Sequence, residues 1–127
     1  MKIGLFADGP WAYGVFEEIC SNPNYKIAFI CLRYPKPDEY LTKKAKEKGI
    51  KIQITKNINF SEFTSFVENE KCDLLVSMSF DQIFKKKILS LPKLGAINCH
   101  AGKLPRYRGR NVLNWVLIND EKEFGIT

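Results

Sequence analysis

Apolar residues along the chain come in short runs that alternate with longer stretches of helical spacing. Lys2 to Ala7 is apolar after its first residue and reads as a strand, broken by Asp8-Gly9-Pro10. Proline suits the first position of a helix, and Ala12, Val15, Phe16, Ile19 and Cys20 follow at helical intervals. Tyr25 to Leu32 is a nearly continuous apolar run, the mark of a strand covered on both faces. Asp38 to Lys48 predicts a charged, solvated helix, Lys51 to Thr55 a short strand, and Ser61 to Asn69 a helix with Phe63, Phe66 and Val67 inward. Asp73 to Ser77 predicts a fourth strand, Ile83 to Ser90 a helix and Gly95 to Cys99 a fifth strand. Asn111 is placed to cap a helix over Val112 to Asn119 with Trp115 inward, and Phe124 to Thr127 opens a further strand. Strands alternating with helices predict an open α/β sheet, mainly parallel.

At 127 residues the chain is one domain at most, with no repeats and no low-complexity segment. No apolar run approaches the length of a membrane span and no leader is visible, so a cytoplasmic protein without a membrane partner is expected. The four cysteines are dispersed with no C-x-x-C pair. With a single histidine they offer no metal site. Cys99, between Asn98 and His100, is expected to point into the core by alternation. The net charge of +6 is unevenly placed. From Gln82 to Asn119 there are eight Lys or Arg and no acid, whereas the rest of the chain is slightly acidic. Such a local field favours an anionic ligand.

That basic region holds the stretch with the densest chemistry, INCHAGKLPRYRGRN from Ile97 to Asn111. Asn98 and His100 lie two apart at a strand's carboxyl end, where side chains of like parity point the same way. Such ends are where open α/β sheets place ligands. Histidine exchanges a proton near neutral pH, and an Asn amide donates to a developing oxyanion. Together they suit acyl transfer to a nucleophile that must lose a proton. A lone strand-end histidine is more often structural; the Gly-rich, arginine-studded loop around this one weighs toward chemistry.

The pattern N-x-H-x-G-x-L-P-x-Y-R-G resembles the signature of the folate-dependent formyltransferases. The likeness continues through RGRNVLNWVLINDEKEFGIT and is weaker in SMSFDQIF and MKIGLFADGPW. It is nearest to the sugar N-formyltransferases, because Gly102 stands where the tRNA and glycinamide-ribonucleotide branches usually carry Ser. The resemblance implies a Rossmann-like catalytic domain, present here as a partial domain over 1–127 that is truncated at its C-terminal side. It implies 10-formyltetrahydrofolate as co-substrate and the amine of a nucleotide-linked amino sugar as acceptor.

Asn98 and His100 would be catalytic, His100 either taking the amine proton or, as imidazolium, stabilising the oxyanion. Met78, Phe80, Asp81, Gln82 and Ile83 would line the folate pocket, with backbone groups meeting the pterin and Phe80 and Ile83 as apolar wall. Lys103, Arg106, Arg108 and Arg110 would meet the substrate's phosphates or sugar, Tyr107 would shape the loop, and Trp11 would face either the core or the ligand. One cleft lined by Phe80, Gln82, Asn98, His100 and Arg108 is expected. Leu104-Pro105 is a candidate cis peptide.

The resembling enzymes orient the histidine with an Asp well downstream. Asp120, Glu121 and Glu123 are expected to lie too far from the ring to replace it, leaving the imidazole a free choice of tautomer and the chain feeble or inactive. An open sheet edge would invite self-association. Two other readings stand beside this one. In the first, the same chemistry acts on aminoacylated tRNA. The short YPKPDEY segment, with its two acids, and the lack of a second nucleic-acid domain weigh against it. In the second, the chain is a non-catalytic ligand-binding remnant.

Overall fold

The computed structural model describes all residues, 1–127. The elements run β1 Lys2–Ala7, α1 Pro10–Ser21, β2 Lys26–Leu32, α2 Glu39–Glu47, β3 Lys51–Ile54, α3 Ser61–Glu70, β4 Leu74–Met78, α4 Lys86–Leu89, β5 Ala96–Cys99 and α5 Val112–Ile118. The strands form one parallel sheet of order β3-β2-β1-β4-β5, the expected α/β architecture. Two units divide the chain, Met1–Ile97 and Asn98–Thr127.

In the first unit, strand alternation sends side chains to two separate cores. Ile3, Leu5, Ala7, Ile30 and Leu32 pack with Ala12, Phe16 and Ile19 of α1 and Leu41 and Ala45 of α2. On the opposite face, Phe6, Phe29, Cys31 and Leu75 pack with Phe63 and Val67 of α3 and Ile88 of α4. That second core holds a cluster of phenylalanines whose rings meet edge to face, as at Phe6–Phe29 (5.7 Å) and Phe6–Phe84 (4.6 Å). Gly4 makes it possible: a Cβ there would lie 2.7 Å from both Phe29 Cζ and Leu75 Cδ2. Glu70, buried at the end of α3, is held by the ammonium groups of Lys51 and Lys2, the latter at 3.5 Å.

Four local expectations are corrected. The helix expected over Ile83 to Ser90 is a single turn, Lys86–Leu89. Asn59 holds the preceding segment extended: its amide donates to the Ile83 carbonyl and its Oδ1 accepts from Lys85 N–H, each at 2.9 Å. Trp115 is 55% exposed, because Val112 and Val116, four apart, are the buried stripe of α5. Asn111 precedes α5 in the left-handed conformation (φ 55°) and makes no side-chain cap. Phe124 to Thr127 is not a strand, although Thr127 alone exchanges two backbone hydrogen bonds with His100.

Candidate active site

In a sheet of this order the chain reverses its winding between β1 and β4, and ligands of open α/β sheets bind beyond the carboxyl ends at such a point. Within the first unit, three charged residues leave those ends: Asp8 after β1, Arg33 after β2 and Asp81 after β4. The guanidinium bridges the carboxylates, Nη2 lying 2.9 Å from Asp8 and Nε 3.4 Å from Asp81. Burial pushes the Asp8 carboxyl above its usual range, against the pull of Arg33. Arg33 Nε and Asp81 Oδ1 are buried without a hydrogen-bond partner in the protein. The sequence signal for Asp8 and Arg33 is a charge directly after each buried run, which the motif does not single out; the resemblance names Asp81, but as a pocket residue rather than as a partner of Arg33.

The turn after β4 is strained at Ser79, which is left-handed with φ 57°. Non-glycine residues reach that region rarely, and often at functional sites. Met78 is buried among the residues of the first core. Phe80 packs on the second core, 5.4 Å from Phe6, so its ring is largely a core element rather than a free wall. Ile83 is 84% exposed. Gln82 has both ends of its amide engaged: Nε2 donates to the Thr55 carbonyl and Oε1 accepts from Ile58 N–H, each at 2.9 Å. The backbone N–H groups from Phe80 to Phe84 donate to nothing in the protein. What this turn offers a ligand is therefore main-chain donors and the exposed Ile83 side chain. Trp11 opens α1 and is 47% exposed, so it is not a core residue.

The second unit carries Asn98 and His100. All four residues of β5 are exposed, Cys99 included, which corrects its expected place in the core. Alternation would turn Cys99 inward only if a second layer covered that face, and none does. The His100 backbone is fixed on both sides: its N–H donates to the Thr127 carbonyl (2.7 Å) and its carbonyl accepts from Thr127 N–H (2.9 Å). The Thr127 hydroxyl donates to the Gly102 carbonyl (2.8 Å) and accepts from Leu104 N–H (3.2 Å). Thr127 thus braces the loop at three residues, a role its place in the sequence did not reveal.

His100 Nε2 lies 2.7 Å from the Tyr107 carbonyl oxygen. A carbonyl only accepts, so Nε2 carries hydrogen and the neutral ring is not free to choose its tautomer, contrary to expectation. None of Asp120, Glu121 and Glu123 touches the ring. Glu121 instead accepts from the Tyr107 hydroxyl at 2.5 Å, and this bond raises the phenol's pKa. The Leu104–Pro105 bond is cis, as expected.

Arg106, Arg108 and Arg110 are exposed and form no ion pair, whereas Lys103 is paired with Glu123 at 2.8 Å. The three free guanidiniums give this loop the positive field its composition promised. A cavity of about 340 Å³ in this unit is lined by Lys103, Arg106 and Tyr107 but also by Asp120, Glu121 and Glu123. It reaches neither Asn98 nor His100, and the acids in its wall do not suit an anion. No group of three or more His, Cys, Asp or Glu is arranged to hold a metal ion. No helix is long and apolar enough to cross a membrane.

The formyl transferase family model matches residues 12–127. Over 61 residues, 48% of this chain and 20% of the relative, the sequence is 56% identical to methionyl-tRNA formyltransferase of Alkaliphilus oremlandii. Over 85 residues, 67% of this chain and 13% of the relative, it is 41% identical to the bifunctional polymyxin resistance protein ArnA of Wigglesworthia glossinidia brevipalpis. Over 133 aligned residues, 99% of this chain and 43% of the relative, it is 30% identical to methionyl-tRNA formyltransferase of Finegoldia magna.

Among solved structures, phosphoribosylglycinamide formyltransferase of Bacillus halodurans superposes with a TM-score of 0.82 at 16% identity, covering 100% of this chain and 70% of that one. The enzyme of the same name from Anaplasma phagocytophilum gives 0.80 at 18% identity, covering 100% and 62%. At such identities the structures speak for the fold alone. The chain spans less than half the length of these curated relatives. It belongs to the formyl transferase family, a family of formyl-transferring enzymes.

Proposed function

We propose that this chain carries the formyl-transfer site of an enzyme that formylates the amine of a nucleotide-linked amino sugar. The observation that carries the reading is the His100 ring, oriented by the Tyr107 carbonyl within a loop of three unpaired arginines. 10-Formyltetrahydrofolate, when bound, supplies the formyl carbon. The free N–H groups from Phe80 to Phe84 would hold its pterin, and Ile83 would cover one side of the ring. Asn98 has an exposed amide able to donate to an oxygen that gains charge during acyl transfer. His100 supplies the imidazole that handles the amine proton. Arg106, Arg108 and Arg110 would meet the diphosphate, since guanidinium forks match phosphate oxygens; Trp11 is available for the sugar or base.

Support for a sugar nucleotide comes from Gly102 and from the short link between β2 and α2, Arg33 to Asp38, which offers little surface to a large polyanion. A second reading, the amine of methionyl-tRNA as acceptor, is favoured by the methionyl-tRNA formyltransferases among the relatives. The test is formyl transfer by the purified chain from 10-formyltetrahydrofolate, with nucleotide-linked amino sugars and methionyl-tRNA offered in parallel. We expect product on a sugar nucleotide only, at below about one turnover per second, because a neutral carbonyl rather than a carboxylate orients the ring. Product on the tRNA alone would replace the first reading by the second.

A further inference from the structure

We infer that Gly102 is a positioning residue for His100, and that by lacking a side chain it selects which ring nitrogen is presented for proton transfer. The inference rests on the catalytic reading of His100 given above. Gly102 is buried, and a Cβ built on it would lie 2.5 Å from the Tyr107 carbonyl oxygen, 2.7 Å from His100 Nε2 and 3.0 Å from Val112 Cγ1. It would therefore sit against both partners of the His100–Tyr107 hydrogen bond and could not be accommodated without parting them. Backbone freedom does not explain the glycine, since Gly102 is absent from the positive-φ residues that include Gly95 and Gly109. The space is needed for the hydrogen bond.

Neither partner can easily step aside. The His100 backbone is clamped by two hydrogen bonds to Thr127, and the Gly102 carbonyl by the Thr127 hydroxyl. Tyr107 is left-handed, φ 51°, and its hydroxyl is tied to Glu121 and accepts from the Asn119 amide at 3.3 Å. Its carbonyl is thus aimed at the ring by a backbone conformation that residues other than glycine adopt only rarely. With Nε2–H committed to that carbonyl, Nδ1 is the nitrogen left for a substrate. In the neutral ring Nδ1 has only a lone pair, so His100 takes the amine proton there. It can donate to an oxyanion from Nδ1 only after that proton has arrived.

The chain's single histidine makes the test direct. Long-range proton–nitrogen correlation spectra of the ¹⁵N-labelled chain, followed upward in pH until the ring is neutral, report the tautomer of His100 alone. We expect Nε2 as the protonated nitrogen, its N–H resonance visible and slow to exchange, and Nδ1 as the bare one. In Gly102→Ala that N–H resonance should be lost to solvent exchange while the amide spectrum of residues 1–97 is kept. A wild-type ring protonated mainly at Nδ1, or an Nε2–H that exchanges as fast as free imidazole, overturns the inference even if Gly102→Ala does not fold. So does a folded Gly102→Ala that retains the protected N–H. Because the readout needs no substrate, absent formyl transfer with the expected spectra would count against the proposed function and leave this assignment standing.

Discussion

Gln82 lies where the family resemblance puts a folate contact, yet the structure spends its side chain on the protein. Its amide joins the turn after β4 to the segment after β3 through Thr55 and Ile58, each bond 2.9 Å long. Gln82→Ala removes both. Each such bond contributes about 1 kcal/mol net, and a buried group left without a partner costs about 1–3 kcal/mol. Ile58 is wholly buried, so its N–H has poor access to replacement water. The loss expected is about 2–3 kcal/mol, read as a fall in the urea midpoint of about 1 M at unchanged slope.

Gln82→Glu sharpens the test. Its carboxylate can still accept from Ile58 N–H but is repelled by the Thr55 carbonyl. The introduced acid is thus held above its unfolded pKa, and the deficit should shrink as pH falls and the group protonates, becoming a donor to Thr55. A Gln82→Ala chain within about 0.5 kcal/mol of wild type, but with its folate affinity lost, would refute the brace and make Gln82 a ligand contact.

Three further outcomes are expected. Glu70 is held below the ordinary carboxyl value of 4.5, first by its hydrogen bond to Lys51. It therefore adds stability above that pH, and this is lost as pH falls through the lower folded value; acid titrations of wild type and Glu70→Gln should converge at the acid end. Gly4→Ala forces a methyl into 2.7 Å contacts with Phe29 and Leu75 and should destabilise by about 1–3 kcal/mol in urea unfolding. A nucleotide sugar should raise the melting temperature more at low salt than at high salt, and Arg108→Glu should remove most of that dependence, because exposed charges are screened over about 10 Å at 0.1 M. An undiminished salt effect in Arg108→Glu would exclude this arginine from the anion site.

The parallel sheet was legible because β1 and β2 are buried on both faces, and a run such as KIAFICL has no solvent-facing alternation to confuse it. The motif likewise announced Asn98, His100 and the arginines. What escaped depends on contacts distant in sequence. Nothing in IFKKKILS shows that Asn59 will hold its first half extended. Trp115 outranks valine in size, but the helix turns Val112 and Val116 inward. Cys99 followed a rule that requires cover on one face, and β5 is uncovered. The His100 tautomer was beyond reach because its partner is a backbone carbonyl, which every residue possesses and no residue name reveals.

The double hydrogen bond between His100 and Thr127 has a kinetic meaning. With its own N–H and C=O both committed, His100 cannot reach a reactant by backbone rearrangement, and only rotation about its two side-chain torsions remains. The orientational entropy of the imidazole is therefore largely spent during folding. A reactant arriving beside it meets a group already aimed, and effective molarities become large under that condition. The Arg106, Arg108 and Arg110 side chains stay long, exposed and unpaired. On the proposed reading, capture would fall to the long unpaired side chains of the loop and proton transfer to the residue whose backbone is clamped.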